Sequence, residues 1–446
     1  MIDKFFSVAN AFLWGPPMLS LFVGTGFIFT VRSGFFQVRH IKKWLHDTLF
    51  FALRNKESRK SRNSKSISQY QALTAALAAC MGTGNIVGVA TAIRAGGPGA
   101  VFWMCFSAFL GMMTSCAEST LGIIYRRKNI NGDWIGGAMM YIDKGLGMKK
   151  TAKLYALLLM LSSFGIGNMT QANSVASILS GSYSIPPYIT GAVLTVISAA
   201  VILGGIKRIA VVSEKVVPFI SVVFVVSSLV VIAINYKKVP STALLILREA
   251  FSFKSAAAGA VGYGISKAAR FGVARGVFSN EAGLGTSAII HAAADVDRPA
   301  EQGMWGILEV FLDTIVMCTV TSFVILTSGA WQAEQSLDGA ELFGAAFSSV
   351  LGGVGNLLLA VTISLLAFAS LTGWSYYGER STEYFLGLRA VPFYRLAFIA
   401  AIFIGSVTGL QTVWNLADIL NCLMALPNLA AILMLSGEAL HELRKI

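Results

Sequence analysis

The segment AACMGTGN, residues 78–85, interrupts a long uncharged and apolar stretch in the first quarter of the chain. Its two glycines, one residue apart, permit backbone dihedral angles that a regular helix does not use. A threonine and an asparagine add polar atoms to the same turn. The segment FSNEAGLGT, residues 278–286, has the same ingredients in the second half of the chain. Each segment therefore predicts a helix that is broken near its middle.

The composition indicates a protein that lies in a membrane. Of the 446 residues, 55% are apolar and only 13% are charged, and the mean hydropathy is +0.68. Soluble domains carry roughly 25% charged residues, so the charged side chains are too few to cover a soluble surface. The 29 Phe and 8 Trp residues exclude a disordered chain. The net charge of +13 accompanies an apolar surface and does not indicate a nucleic-acid partner.

Long uncharged stretches predict eleven membrane-spanning helices and thus an all-α polytopic membrane protein. A span needs about 20 apolar residues, and the uncharged stretch 154–206 is divided in two at the Pro-Pro pair 186–187 because proline ends helices. The predicted spans are 9–31, 69–94, 98–124, 152–180, 187–206, 214–235, 256–292, 302–328, 343–378, 393–410 and 414–437.

Basic residues predict the orientation of these spans. One set of alternate loops, with the C-terminal tail, holds 26 of the 35 Lys and Arg residues, against six on the other side and three inside a predicted span. Loops rich in Lys and Arg stay in the cytoplasm. We therefore expect the N-terminus outside and the C-terminus inside the cell, in the plasma (inner) membrane.

The two broken helices are the second and the seventh span, five spans apart. Because five is odd, two consecutive five-helix units have opposite orientations, and one broken helix in each unit is typical of an inverted-repeat transporter. The predicted organisation is an extra helix and basic linker over 1–67, a first repeat over 68–240, a second repeat over 241–437 and a tail over 438–446.

Helix polarity predicts what the opened backbone attracts. The N-terminus of a half-helix presents free N–H groups and about half a positive charge, so the amides of Thr83, Gly84 and Asn85 suit a carboxylate. Unwound carbonyl groups suit a hard cation such as Na⁺, and Ala78 and Met81 are the candidates for them. In the ninth span the hydroxyls of Ser370 and Thr372 are further candidates, and the alternative for each is a bond to its own helix.

Ionisable side chains within predicted spans are costly and often mark a pathway. Glu309 and Asp313 are four residues apart and share a helix face. We expect Arg275 to form an ion pair with Asp313 or Glu281 and so to set the angle of the broken seventh span, in a structural or a coupling role. Glu118, near the end of the third span, is expected to extend toward the cytoplasm.

The chain shows no pattern of an enzyme. Its four histidines do not cluster in the sequence, and it has no HExxH motif, nucleophile elbow or phosphate-binding loop. The five cysteines show no CxxC spacing and lie in apolar runs, as small buried residues do. We expect neither a catalytic residue nor a cofactor.

Several motifs together resemble the alanine/glycine:cation symporter family. They extend from about residue 68 to 437, and as a set they are specific. They are GTGNIVGVA at 82–90, GGPGAVFW at 96–103, GGAMMY at 136–141, RGVFSNEAGLG at 275–285, Asp313-Thr314 with Cys318-Thr319, and GWSYYGER at 373–380. The resemblance implies a LeuT-type fold, with a 5+5 inverted repeat and here one extra N-terminal helix. It also implies sodium-driven, in some members proton-driven, uptake of alanine or glycine.

The resemblance implies site residues as well. Substrate positions carried over are Ala79, Cys80, Thr83, Gly84, Gln171, Phe278, Ser279, Asn280, Glu281, Gly283 and Trp374. Sodium positions carried over are Ala78, Met81, Ala367 and Ser370. The chain departs from the family pattern at Ser115 and Ala288, which affects packing, and at Cys80, where we expect threonine. The departure at Cys80 leaves the side-chain selectivity open.

The sequence thus predicts a sodium-coupled symporter of small neutral amino acids that works by alternating access. The alternative closest to it is a proton-coupled carrier of the same fold, in which Glu281, Glu309 or Asp313 would titrate. An ion channel would need a continuous pore with charged rings, which the sequence does not indicate. The expected partners are the amino acid and the lipid bilayer, and the oligomeric state stays open.

Overall fold

The computed structural model describes residues 10, 12–54, 61, 65–251, 261–333, 336–337, 339–408 and 411–446. Helices dominate the chain. The helices of the first half are α1 (Pro16–Arg32), α2 (Phe36–Arg39), α3 (Ile41–Leu45), α4 (Phe51–Arg54), α5 (Gln69–Cys80), α6 (Val87–Gly96), α7 (Gly99–Ile124), α8 (Ala138–Met140), α9 (Lys149–Phe164), α10 (Thr170–Tyr183), α11 (Pro187–Ile202) and α12 (Gly205–Ile234).

The second half continues the helical pattern. Its helices are α13 (Val239–Ala250), α14 (Val261–Asn280), α15 (Ser287–His291), α16 (Pro299–Val310), α17 (Thr319–Ser328), α18 (Ala330–Ala333), α19 (Gly339–Leu386), α20 (Val391–Val407), α21 (Gln411–Met434) and α22 (Ser436–Leu443). Two short strands, β1 (Arg127–Lys128) and β2 (Trp134–Ile135), form an antiparallel hairpin between α7 and α8.

Several junctions between helices are wider π-helical or tighter 3₁₀-helical turns. Such turns are frequent at functional sites because they redirect side chains and free carbonyl groups. The π-helical turns are His46–Phe50, Tyr141–Gly145, Gly165–Met169 and Phe311–Cys318, and the 3₁₀ turns are Thr83–Asn85, Tyr236–Lys238 and Leu388–Ala390.

Local sequence signals explain where key helices begin. Ser68 caps α5 through a reciprocal pair of bonds, since its hydroxyl accepts from the amide of Gln71 and its own amide donates to the Gln71 side chain, both at 3.1 Å. Proline stands in the first turn of α1, α11, α13, α16 and α20, where its missing N–H costs nothing.

Among the described residues, seven helices are long and apolar enough to cross a membrane, or up to eight if the bent pair α5–α6 is one span. The helix α1 has 17 residues and α11 has 16, so both are shorter than a regular span. The predicted seventh span begins at residue 256, and its start lies outside the described residues. The protein is therefore a multi-pass membrane protein, and the exact number of eleven spans stays a prediction.

The predicted ninth span is longer in the structure than the sequence indicated. The helix α19 runs from Gly339 to Leu386 and includes a break at Gly352, whose φ of 57° and ψ of −140° are not helical. Only glycine adopts this conformation without strain. The break separates a short leading helix from a long helix that contains Ser370 and Trp374.

Glycines let the second half of the chain pack closely against α7. A Cβ added to Gly272 on α14 would lie 2.3 Å from the carbonyl oxygen of Ala100. A Cβ added to Gly303 on α16 would lie 2.3 Å from the hydroxyl of Thr120. Because membrane helices associate through such small residues, α7 is held between a broken helix and the helix that follows it.

Substitution of Gly272 by alanine is expected to lower the thermal stability of the purified protein in detergent. The added methyl group must displace main chain of α7, and overpacking of this kind costs about 1–3 kcal/mol. Gly181 on α10 is the matched control, because a Cβ added there meets nothing within 4 Å. Equal melting temperatures for G272A and G181A would contradict the close packing.

Candidate functional site

The first predicted break is present between α5 and α6. The helix α5 ends at Cys80, because Met81 has a ψ of 65° and Gly82 is extended at φ −101° and ψ −151°. A single 3₁₀ turn over Thr83–Asn85 follows, and α6 leaves at 61° to α5. The main chain is thus opened within a buried segment of the protein.

The second predicted break is present between α14 and α15. Three residues of this loop have positive φ angles, which are 57° at Glu281, 95° at Gly283 and 76° at Gly285. Such angles are rare for a residue with a side chain and often indicate function. The hydroxyl of Thr286 donates to the Glu281 carboxylate at 2.5 Å and fixes its direction.

Asp313 joins the two breaks. Its carboxylate accepts from the Asn85 amide at 2.7 Å and from the Ser279 hydroxyl at 2.8 Å. The hydroxyl of Thr314 donates a third bond at 2.8 Å, and the Asn280 amide donates to Thr314. The π-helical turn Phe311–Cys318 carries Asp313 into this position. One buried carboxylate therefore holds polar side chains from both broken helices.

The two breaks also touch directly. A Cβ added to Gly84 would lie 3.3 Å from the Phe278 ring and 3.6 Å from the Cα of Ser279. Gly84 therefore allows the 3₁₀ turn of the first break to lie against the end of α14. Of the predicted substrate residues, Gly84, Phe278 and Ser279 are brought together in this way, whereas Gly283 lies against Phe22 and Leu429.

Gln171 occupies the opened end of the first break. Its Oε1 accepts from the amide N–H of Thr83 at 3.0 Å, and its Nε2 donates to the carbonyl of Ile166 at 3.0 Å. The π-helical turn Gly165–Met169 precedes it on the same helical segment. In this structure the Thr83 amide, which the sequence assigned to a carboxylate, donates to a side-chain oxygen.

Ala78 lies on α5 and Met81 directly after it, whereas Ala367 and Ser370 lie on α19, which packs against α5 here. The Ser370 hydroxyl donates to the carbonyl of Ala79 at 2.8 Å, whereas Thr372 bonds to its own helix. A Cβ added to Gly373 would lie 2.8 Å from the Ala79 nitrogen. All four predicted sodium residues, which are Ala78, Met81, Ala367 and Ser370, are buried.

Trp374 forms a rigid wall beside these contacts. A Cβ added to Gly167 would lie 2.2 Å from Trp374, so the indole packs directly on the backbone of the π-helical turn before Gln171. The ring of Tyr377 contacts the indole edge-on, with 5.4 Å between the ring centroids. Glu281 lies next to Trp374. The predicted wall residue therefore contacts elements of both halves of the chain.

The predicted partners of Arg275 are wrong. Its guanidinium binds Asp418 on α21 with two bonds of 3.1 and 2.9 Å. Arg275 precedes the break on α14 and faces α21, whereas Glu281 is the first residue of the break and turns toward Thr286. The guanidinium also lies over Phe278 and Trp414, whose rings stack at 5.2 Å. This ion pair covers the Phe278 side of the site.

Glu118 does not extend toward the cytoplasm as predicted. It is fully buried, and its Oε1 accepts from the Gly285 amide at 3.0 Å and from Asn428 at 2.5 Å. Asn428 also donates to the carbonyl of Gly283 at 2.8 Å, and Tyr155 donates to that of Leu284 at 2.8 Å. The main-chain groups of the opened segment need these hydrogen-bond partners. Satisfying them stabilises the protein more than solvation of the Glu118 carboxylate would.

The start of the first broken helix and the segment that follows the second are joined by main-chain hydrogen bonds. Ile67, just before α5, donates its N–H to Ala293 at 3.1 Å and accepts from Asp295 at 2.8 Å. Arg126 donates to the carbonyls of Ala292 and Ala294, and Trp134 of the hairpin lies 4.1 Å from its guanidinium. Each broken helix is thus fixed on both sides of its break.

Sequence reasoning missed three polar residues that organise this region, namely Asp418, Asn428 and His291. Asp418 is a single acidic residue between two long uncharged stretches, and the rule for intramembrane charges would have identified it. Asn428 and His291 gave no such signal, because a single amide or imidazole in an apolar segment is not distinctive.

Breaking the Arg275–Asp418 pair from one side is expected to destabilise the protein more than removing both charges. Arg275 is 14% and Asp418 7% exposed, so either charge left alone is largely desolvated. R275M and D418L are each expected to cost up to about 3 kcal/mol, and the double variant less than either single change.

Thermal unfolding in detergent measures this coupling. K445M is the control, since Lys445 pairs with Glu442 at the surface and is 50% exposed. Additive losses in the double variant would show that the two side chains do not stabilise each other.

The chain is similar to known proteins over almost its whole length. The profile of the family described as "Sodium:alanine symporter family" matches residues 1–446. The chain is 42% identical to the sodium/alanine symporter AgcS of Methanococcus maripaludis, over 98% of this chain and 97% of that protein. It is 37% identical to the probable sodium/glutamine symporter GlnT of Bacillus subtilis, over 100% and 90% of the two chains.

A solved structure shares the fold. A manganese transporter of Eremococcus coleocola aligns with a TM-score of 0.53 at 18% identity, over 83% of this chain and 78% of that chain. This likeness concerns the fold alone. With two broken helices joined by buried polar contacts and with a family match over its full length, the chain belongs to the sodium:alanine symporter family.

Proposed function

We propose that the protein carries alanine or glycine into the cell together with Na⁺, by alternating access. The observation that carries this proposal is the pair of opened helices, tied to each other through Asp313, in a member of a symporter family. An amino acid has a carboxylate and an ammonium group, and an opened backbone offers both donors and acceptors to them.

The amino acid binds where the two breaks meet. The proposed substrate residues are Ala79, Cys80, Thr83, Gly84, Gln171, Phe278, Ser279, Asn280, Glu281, Gly283 and Trp374. The carboxylate takes over the N–H groups of the first break and displaces the Gln171 oxygen from Thr83. Phe278 and Trp374 restrict the space for a side chain, which supports selection of short amino acids.

Sodium binds at the end of α5, to oxygen atoms of Ala78, Met81, Ala367 and Ser370. Support comes from the contact of Ser370 with the carbonyl of Ala79, which brings α19 against the opened end of α5. Sodium and carboxylate then share one opened turn, so each ligand stabilises the site of the other. The coupling of transport to the sodium gradient follows from this shared backbone.

The proposed topology has eleven spans, with the N-terminus outside and the C-terminus in the cytoplasm. Residues 1–67 form the extra helix and linker, 68–240 and 241–437 the two repeats, and 438–446 the tail. In this orientation the Arg275–Asp418 pair lies on the outer side of the site. Glu118 and the Ile67–Ala293 contact lie on the inner side. Opening of one side at a time would require that one of these sets of contacts separate.

Proton-driven transport is the second candidate. It is favoured by the buried carboxylates Glu281, Glu309 and Asp313, for which the described residues provide no Lys or Arg partner within ion-pair distance. Such groups can bind a proton in place of a metal cation. The two candidates differ in which gradient drives uptake.

Uptake of radiolabelled alanine into proteoliposomes tests the proposal. An inward Na⁺ gradient is expected to drive accumulation, and replacement of Na⁺ by choline to abolish it. A proton gradient without Na⁺ tests the second candidate. Equal uptake in Na⁺ and in choline would contradict sodium coupling, and competition by unlabelled glycine but not by leucine checks the size of the pocket.

Substitution of Ser370 by alanine is expected to raise the Na⁺ concentration for half-maximal uptake by about tenfold. The loss of one oxygen ligand would account for about 1.4 kcal/mol of binding free energy. S381A is the matched control, because among the described residues the Ser381 hydroxyl donates to the carbonyl of Tyr377 in its own helix and to no other group. An unchanged sodium dependence in S370A would remove this residue from the site.

A further inference from the structure

A second buried polar cluster lies beside the proposed site. His291, the last residue of α15, and Glu309 on α16 are both fully buried, and His291 Nε2 lies 2.9 Å from Glu309 Oε2. On the other side of the ring, Gln302 Nε2 lies 2.5 Å from His291 Nδ1. Neither the histidine nor the glutamine has a role in the function proposed above.

Two oxygen atoms of this cluster have no hydrogen-bond partner among the described residues. They are Oε1 of Glu309 and Oε1 of Gln302, and both are buried. A glutamine amide can turn about its axis, so Gln302 can donate Nε2–H to a neutral ring or accept from a protonated Nδ1–H. The cluster can therefore hold the imidazole in either protonation state without a backbone movement.

Electrostatics favour one shared proton in this pair. With a proton the pair is neutral overall, and without it the pair carries one negative charge in a region that excludes water. The nearby titratable or charged groups from the surrounding elements are Cys80 on α5, Glu118 on α7, Glu281 in the second break, Asp313 after α16, Tyr377 on α19 and Arg126 before β1. Most of these groups are acidic, and Arg126 is bonded to carbonyl groups that follow His291.

We propose that His291 and Glu309 form a proton-binding site whose proton competes with Na⁺. The inference rests on the sodium-coupled function proposed above. Glu309 neighbours Cys80, and Cys80 lies in sequence between the sodium candidates Ala78 and Met81. A pair that has lost its proton attracts a cation to the end of α5, and a protonated pair does not. By reciprocity, sodium binding releases the proton.

Equilibrium binding of ²²Na⁺ to the purified full-length protein, without amino acid, tests the proposal. Between about pH 8.5 and pH 5.5, acidification is expected to raise the apparent dissociation constant for Na⁺. If proton and Na⁺ exclude each other completely, the apparent dissociation constant for Na⁺ rises by at most about tenfold for each pH unit of acidification. A pH indicator in weak buffer is expected to report release of protons when Na⁺ is added.

Variants assign the effect to this pair. E309Q removes the negative charge and is expected to make sodium binding independent of pH within about twofold. H291Q leaves the carboxylate without its partner and is expected to move the midpoint of the pH dependence by at least about one unit, which decides the question if E309Q does not fold. H441Q, on the exposed face of α22, is expected to retain the wild-type dependence.

Three results would overturn the proposal. The first is sodium binding that is independent of pH in the wild-type protein. The second is a wild-type pH dependence in both E309Q and H291Q. The third is a dependence that D313N removes while E309Q retains it, since this would assign the proton to Asp313. Absence of ²²Na⁺ binding at every pH would contradict the sodium-coupled function itself, and the inference with it.

Discussion

A helix that opens inside a membrane exposes amide and carbonyl groups that lipid cannot satisfy, and each unsatisfied group costs several kcal/mol. The centre of this protein is organised around that demand. Gln171 accepts from the first break, and Asn428, Glu118 and Tyr155 serve the second. Polar side chains that would be unfavourable in an apolar bundle are therefore retained where the backbone needs them.

The same demand explains the position of the buried charges. Asp313 receives three side-chain bonds, and two of these come from the two breaks. Arg275 is bound on the other side by Asp418 and by two aromatic rings. Between these fixed points lie Gly82 and Gly84, which allow Gln171 and Phe278 to approach the main chain closely. Fixed polar contacts thus lie on both sides of the short backbone stretch that contains Gly82 and Gly84.

The breaks themselves could be predicted from the sequence, because a pair of glycines with hydroxyl and amide neighbours is a local signal. Ser370 was also predictable as a residue that faces α5, and it bonds there to Ala79. The partner of Arg275 was not, because the sequence gives the distance along a helix and not its rotation toward a neighbour. Glu118 was assigned to solvent for a similar reason, since its partners Gly285 and Asn428 are far away in the chain. The π-helical turns that carry Asp313 and precede Gln171 leave no recognisable residue pattern.

The contact between Ile67 and the segment after α15 is made by amide and carbonyl groups alone. Every amino acid provides these groups, except that proline lacks the N–H. A substitution at Ile67, Ala293 or Asp295 other than to proline therefore keeps the donors and acceptors of the connection, although Ile67 and Ala293 are buried and restrict the size of the side chain. Correlated substitutions would not reveal this contact, although it links the start of the first broken helix to the segment that follows the second.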